Sequence, residues 1–206
     1  MKISGKHIFA FAAALIACLL LAVLAGARPT QPKPPRADTD TAAAGAADVE
    51  EEPFRMASFT AETLDGGTFT QEDIAAKDVT VMNFWSTTCG PCIAEMPDLA
   101  AFAKALPENI QLVTVCLDGL GNEETAAKYL DEAGYTGVTL VSGDGDFLTL
   151  CRQVVYTPTT VFLDAEGTLA ADPIVGGQAD LTSDCLAAVN AVLAAEGKEA
   201  VQLAEN

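Results

Sequence analysis

A strongly apolar run, Val79 to Trp85 (VTVMNFW), passes through Ser-Thr-Thr into Cys-Gly-Pro-Cys and then into a stretch with helical spacing. A run this short and this apolar has the composition of a strand buried on both faces. From residue 92 to residue 106, Ile93, Met96, Leu99, Phe102 and Leu106 can share one broad helical face, and Pro97 should bend the helix that carries them. A buried strand that hands over to a helix across so short a link confines the chain to an α/β arrangement. It also places Cys89 where the helix begins.

The surrounding sequence alternates in the same way. Residues 54–59 and 68–70 flank Asp65-Gly66-Gly67 and predict a small hairpin ahead of the buried strand. After the first helix come a predicted strand at 110–117, a helix at 123–133 stopped by Gly134, a short strand at 138–141 and a short helix at 147–153. A strand at 159–163 then turns through Asp164-Ala165-Glu166-Gly167 into another near Leu169, and a last helix runs over 180–195. The expectation is a mixed central sheet flanked by helices, with the hairpin as an N-terminal extension.

The position of Cys89 bears on its chemistry. First-turn amides and the helix dipole favour negative charge, so its thiol should ionise more readily than a free cysteine, and the thiolate is the nucleophile of disulfide exchange. Cys92 lies one turn inward, placed to attack a mixed disulfide on Cys89. Pro91 has no amide proton to leave unpaired at the first turn, and Gly90 keeps the approach to the sulfur open. The two cysteines could be half of a zinc site, but zinc needs a second pair or histidines at ligand spacing, and the only histidine is His7. Dithiol exchange calls for neither cofactor nor metal.

Composition narrows the field further. The formal charge of −18 repels phosphate backbones, which argues against nucleic acid as a partner. With no histidine after His7, the body has no imidazole for general-base work.

The N-terminal segment points out of the cytoplasm. Lys2 and Lys6 precede an apolar run from Ile8 to Leu24 that ends in Ala25-Gly26-Ala27. Residues 1–27 therefore read as a signal or anchor segment, cleavable before Arg28 or retained. The run is long for a cleaved signal and long enough to span a bilayer, which favours a retained anchor. Leu-Ile-Ala-Cys at residues 15–18 also resembles a lipidation site, although apolar residues follow Cys18 where a polar tether is expected. Flanking positive charge is nearly balanced, so the outward orientation of the body rests on the signal-like design and on the thiol chemistry. Residues 28–52, rich in Pro, Ala, Thr and acidic side chains, read as a flexible linker, and the folded domain occupies 53–206.

Two stretches, NFWSTTCGPCIAEMP (Asn83 to Pro97) and TPTTVFLDAEG (Thr157 to Gly167), resemble the TlpA/ResA-like thioredoxins, membrane-tethered disulfide reductases outside the bacterial cytoplasm. The resemblance covers roughly residues 53–193 and implies a thioredoxin fold. It implies Cys89 as nucleophile, Cys92 as resolving thiol, and a cis bond between Thr157 and Pro158 beside the dithiol. Read from the residues alone, Pro158 is better taken as opening a strand. Members commonly reduce apocytochrome or other extracytoplasmic disulfides and draw electrons from a membrane thiol donor of the CcdA type. The expected partners are thus disulfide-bearing proteins, that donor and the membrane.

Supporting positions follow. Asn83 stands where cytosolic thioredoxins carry a buried Asp. Glu95, three residues past Cys92, shares its helical face and is a candidate proton relay with a pKa raised by partial burial, against the alternative of an ordinary solvated carboxylate. Trp85 is expected beneath the site, while Thr88 replaces an aromatic that many relatives carry.

Cys116, Cys151 and Cys185 read as small packing residues, with a bridge such as Cys151 to Cys185 open in an oxidising compartment. Three other functions fit the sequence less well. A thiol peroxidase would want a proline where Met82 stands. A copper-delivery module would need a histidine ligand, and a binding domain would use the dithiol only as a structural bridge.

Overall fold

All seven residues of Val79–Trp85, β3, are buried, and the rest of the fold is arranged around them. The computed structural model describes residues 54–203, so the expected signal or anchor segment, the expected linker and the outer limits of the expected domain lie outside the described residues. Seven strands form one sheet in the order β2 (Thr68–Thr70), β1 (Thr60–Thr63), β5 (Thr139–Gly143), β4 (Ile110–Cys116), β3, β6 (Thr159–Asp164) and β7 (Ile174–Val175). β4 pairs parallel to β3, and β5 pairs parallel to β4. On the other side β6 and β7 run antiparallel. The strand alternation of β3 sends Val79, Val81 and Trp85 to one face and Met82 and Phe84 to the other.

Each face has its own core. On the first, Trp85 and Val81 pack with Met96, Leu99 and Phe102 of α2 (Gly90–Ala105) and with Cys185, Val189 and Val192 of α5 (Leu181–Ala195). Ala126 and Leu130 of α3 (Glu123–Ala133) complete it. On the second, Met82 and Phe84 pack with Ile74 of α1 (Gln71–Ala75) and with Phe147 and Leu150 of α4 (Gly145–Gln153). α2 runs on through Pro97 as one helix. α3 stops at Gly134, whose φ of 70° is the left-handed C-cap that a glycine adopts without steric cost.

Three expectations need correction. The hairpin pairs β1 (Thr60–Thr63) with β2 (Thr68–Thr70), so its first strand starts after residue 59. Residues 54–59 are held elsewhere: Arg55 bridges Thr168, and the Ala57 and Ser58 amides donate to the Asp146 carboxylate at 2.9 and 2.8 Å. Near Leu169 only a single bridge to Leu163 forms; the paired strand comes later, at β7. Finally, Cys151 and Cys185 are both free thiols, because they belong to cores on opposite faces of the sheet. The short helix α1 was not foreseen, although its reciprocal cap between Thr70 and Asp73 is written in the sequence. No described helix is long and apolar enough to cross a membrane.

Candidate active site

Where β3 ends at Trp85, the chain turns through Ser86–Thr88, and Cys89 becomes the N-cap of α2. The Cys92 amide donates to Cys89 Sγ at 3.3 Å, so a first-turn N–H is already directed at that sulfur. The two cysteines form a disulfide with their Cα atoms 5.3 Å apart. They differ in access: Cys89 is half-buried, whereas Cys92 is only 1% exposed. A side chain added at Gly90 would meet nothing within 4 Å, which leaves the sulfur's outer flank open. Pro91 occupies the first turn and is exposed.

The loop ahead of Cys89 is held by a residue that sequence reasoning missed. Asp118 accepts from the Thr87 amide at 2.8 Å and from the Thr87 hydroxyl at 2.7 Å. Burial works against its charge, but these bonds, together with one from the Cys116 thiol at 3.4 Å and a local backbone bond, hold the Asp118 carboxyl below the usual range. The signal was topological. β3 and β4 are parallel neighbours, Trp85 pairs with Cys116, and so whatever follows Cys116 must lie beside whatever follows Trp85.

The Thr157–Pro158 bond is cis, and Pro158 is buried with its carbonyl accepting from Gly176 N at 2.8 Å. The loop of Gly176, Gly177 and Gln178 in turn lies against the site. A methyl at Gly177 would sit 3.6 Å from Pro91 Cβ and 3.7 Å from Glu95 Oε2. Thr157, Pro158, Pro91, Glu95 and the disulfide are therefore gathered at one end of the sheet, with Trp85 fully buried in the core that also holds Cys92.

Glu95 is 7% exposed, which removes the solvated alternative. Neither carboxyl oxygen completes a hydrogen bond, and burial pushes its pKa up to about 7. The Asn83 side chain and the Gln178 backbone offset part of that rise, while Asp98 adds to it. Below it, Asn83 donates to Thr160 Oγ1 at 3.0 Å. The buried thiols nearby are quiet. Burial, then Asp118, pushes Cys116 up to about 12, and burial, then Glu95 and Asp184, does the same for Cys185.

The sign of the Glu95 effect on stability follows directly. The carboxyl titrates near 4.5 when unfolded and about 7 when folded. Between those values the unfolded chain gives up its proton first, so stability falls as pH rises and the loss is complete above about 7. At about 1.4 kcal/mol per unit, the whole loss is at most about 3 kcal/mol. Glu95→Gln keeps the shape without the charge. It should match the parent near pH 4.5 and exceed it by up to about 3 kcal/mol at pH 8 in denaturant unfolding. Identical stabilities at both pH values would contradict the burial argument.

Residues 55–172 match the sequence profile of the AhpC/TSA family. A thioredoxin-like protein of Haemophilus influenzae is 33% identical over 54% of this chain and 64% of its own length. The thiol-disulfide oxidoreductase ResA of Oceanobacillus iheyensis is 32% identical over 52% of this chain and 54% of its own. The chain thus matches between about half and two thirds of the length of these relatives. A secreted Mycobacterium tuberculosis disulfide oxidoreductase, described as homologous to Escherichia coli DsbE, superposes with a TM-score of 0.51 at 26% identity. That superposition covers 68% of this chain and 97% of the other. The fold is the thioredoxin fold.

Proposed function

The chain belongs to the AhpC/TSA family, and on that membership we propose that it is a thiol–disulfide oxidoreductase that reduces protein disulfides outside the cytoplasm. The observation that carries the proposal is the asymmetry of the sulfur pair. One sulfur is reachable and capped by a helix amide, and the other is sealed one turn inward, three residues before the buried Glu95 on the same helix.

In the reduced protein the Cys89 thiolate attacks one sulfur of a substrate disulfide. The S–S bond breaks, a mixed disulfide forms, and the first substrate sulfur leaves as a thiolate and takes up a proton. Cys92 then gives its proton to the Glu95 carboxylate and attacks Cys89 Sγ, closing the protein disulfide and releasing the second substrate sulfur. Two electrons and two protons pass to the substrate, and the Glu95 proton completes the count. A carboxyl group with a pKa of about 7 can hold or release that proton near neutrality. Pro158, buried at the same end of the sheet as the dithiol with Thr157 half-buried before it, would form the floor against which a substrate strand lies.

The leader of residues 1–27 supports an anchored, outward-facing protein, and the TlpA/ResA resemblance supports a CcdA-type membrane donor and a place in cytochrome c maturation. The proposal is tested by equilibrating the chain with thiol redox buffers and reading the Cys89–Cys92 state by alkylation and mass. A potential at the reducing end of the fold's range, roughly −270 to −120 mV, is expected. A value at the oxidising end would make the chain a disulfide donor and overturn the stated direction.

A further inference from the structure

Charge is distributed unevenly over the domain. The described residues hold six cationic side chains, and three of them, Arg55, Lys77 and Lys198, gather at the sheet end opposite the disulfide. There Arg55 donates to the Glu166 carbonyl, Lys77 donates to the Glu108 carbonyl, and Lys198 pairs with Asp78 and Glu196. Lys104 lies in the last turn of α2, and Lys128 is paired along α3 with Glu132. Only Arg152, in the last turn of α4, precedes the cis-proline loop.

The far end carries carboxylates too, but at the disulfide end the exposed ones have no ion-pair partner among the described residues. Asp98 is exposed on α2 two turns beyond Cys92 and acts on Glu95. Asp180 and Asp184 are exposed at the head of α5, and Asp184 acts with Glu95 on the buried Cys185. Exposed apolar surface adjoins the cis-proline bond at the same end of the sheet. Val155 and Tyr156, immediately before the Thr157–Pro158 bond, are 77% and 69% exposed, and Val175 on edge strand β7 is 52% exposed. Large apolar side chains held in water beside a reactive group mark a contact surface. Aromatic residues contribute most when such a surface is covered.

We infer that this end docks extended polypeptides whose cysteines are flanked by basic and apolar residues. The inference rests on the exchange reading above and adds to it the class of substrate. Tyr156, Val155 and Val175 cover the apolar residues of the incoming segment, while Asp98, Asp180 and Asp184 meet its cations. Opposite charge at the rim acts on encounter and orientation, so it appears in kcat/KM and in salt dependence.

The test uses the reduced full-length chain and two synthetic peptides with the same intramolecular disulfide, one flanked by lysines and one by glutamates. Release of peptide dithiol is followed by mass. At low salt the lysine peptide should react about 10- to 100-fold faster in kcat/KM, with the gap closing to a few-fold at about 0.5 M salt. Because the whole chain is acidic, local and global charge must be separated. Asp98→Asn with Asp184→Asn should lower the lysine preference several-fold. The same charge change at the far end, Glu108→Gln with Asp131→Asn, should leave it in place. Tyr156→Ser should raise KM for both peptides alike. Equal rates for the two peptides, or equal losses from the near and far variants, would overturn the docking surface. If the reduced chain turns over neither peptide, the exchange reading itself fails.

Discussion

A Cys89→Ser chain is expected to reduce no disulfide at a useful rate, losing at least about a thousand-fold in kcat/KM. Cys92 cannot take over, because at 1% exposure its sulfur does not meet a substrate. The buried thiols Cys116 and Cys185 are equally withdrawn, and burial holds their protons on. Cys92→Ser should behave differently. The first attack remains, the resolving step is gone, and one substrate molecule per chain should accumulate in a mixed disulfide on Cys89. Non-reducing electrophoresis and intact mass distinguish the two variants. Exchange surviving in Cys89→Ser, or a trapped adduct on another cysteine, would reverse the assigned roles.

The second large effect concerns folding. Trp85 is fully buried, lies in register with Cys116, and accepts from the Leu117 amide through its carbonyl at 2.9 Å. Trp85→Ala should open a cavity between β3, α2 and α5 and cost about 3–5 kcal/mol. For a domain of this size that lowers the melting temperature by about 10 °C or more. Trp85→Phe should cost clearly less, because it keeps much of the ring and removes Nε1, a buried donor for which no protein group accepts. Calorimetry on both variants checks this. Equal losses would contradict both the packing argument and the unpartnered-donor argument.

Legibility in the sequence tracked the range of the interactions. β3, α2 and α3 could be placed because periodicity, the Cys-Gly-Pro-Cys turn and the Gly134 stop are local signals. The hairpin slipped because residues 54–59, extended and apolar enough to be a strand, are claimed by Asp146, 88 and 89 residues away. α1 was lost to its length of five residues, although its capping pattern could have been read. At the site, Cys89, Cys92 and Glu95 could be placed together from the Cys-Gly-Pro-Cys motif and helical spacing, whereas the cis bond at Pro158 came only from the family resemblance, because the residues alone favoured a strand start. Asp118 was not, since its bonds to Thr87 span 31 residues and depend on how β3 and β4 stack side by side. The burial of Glu95 needed the Gly177 loop, which no pattern around Glu95 announces.

The two outermost strands, β2 with three residues and β7 with two, are the shortest in the sheet, while the seven-residue strands β3 and β4 are enclosed between neighbours. An unpaired strand margin recruits other chains in proportion to the length of backbone it presents. Here the long apolar segments never reach a margin, and the margins that exist offer too few amides and carbonyls to set a register. Many copies crowded together, as on a confined surface, can therefore stay separate folded units instead of seeding fibrils through their sheets.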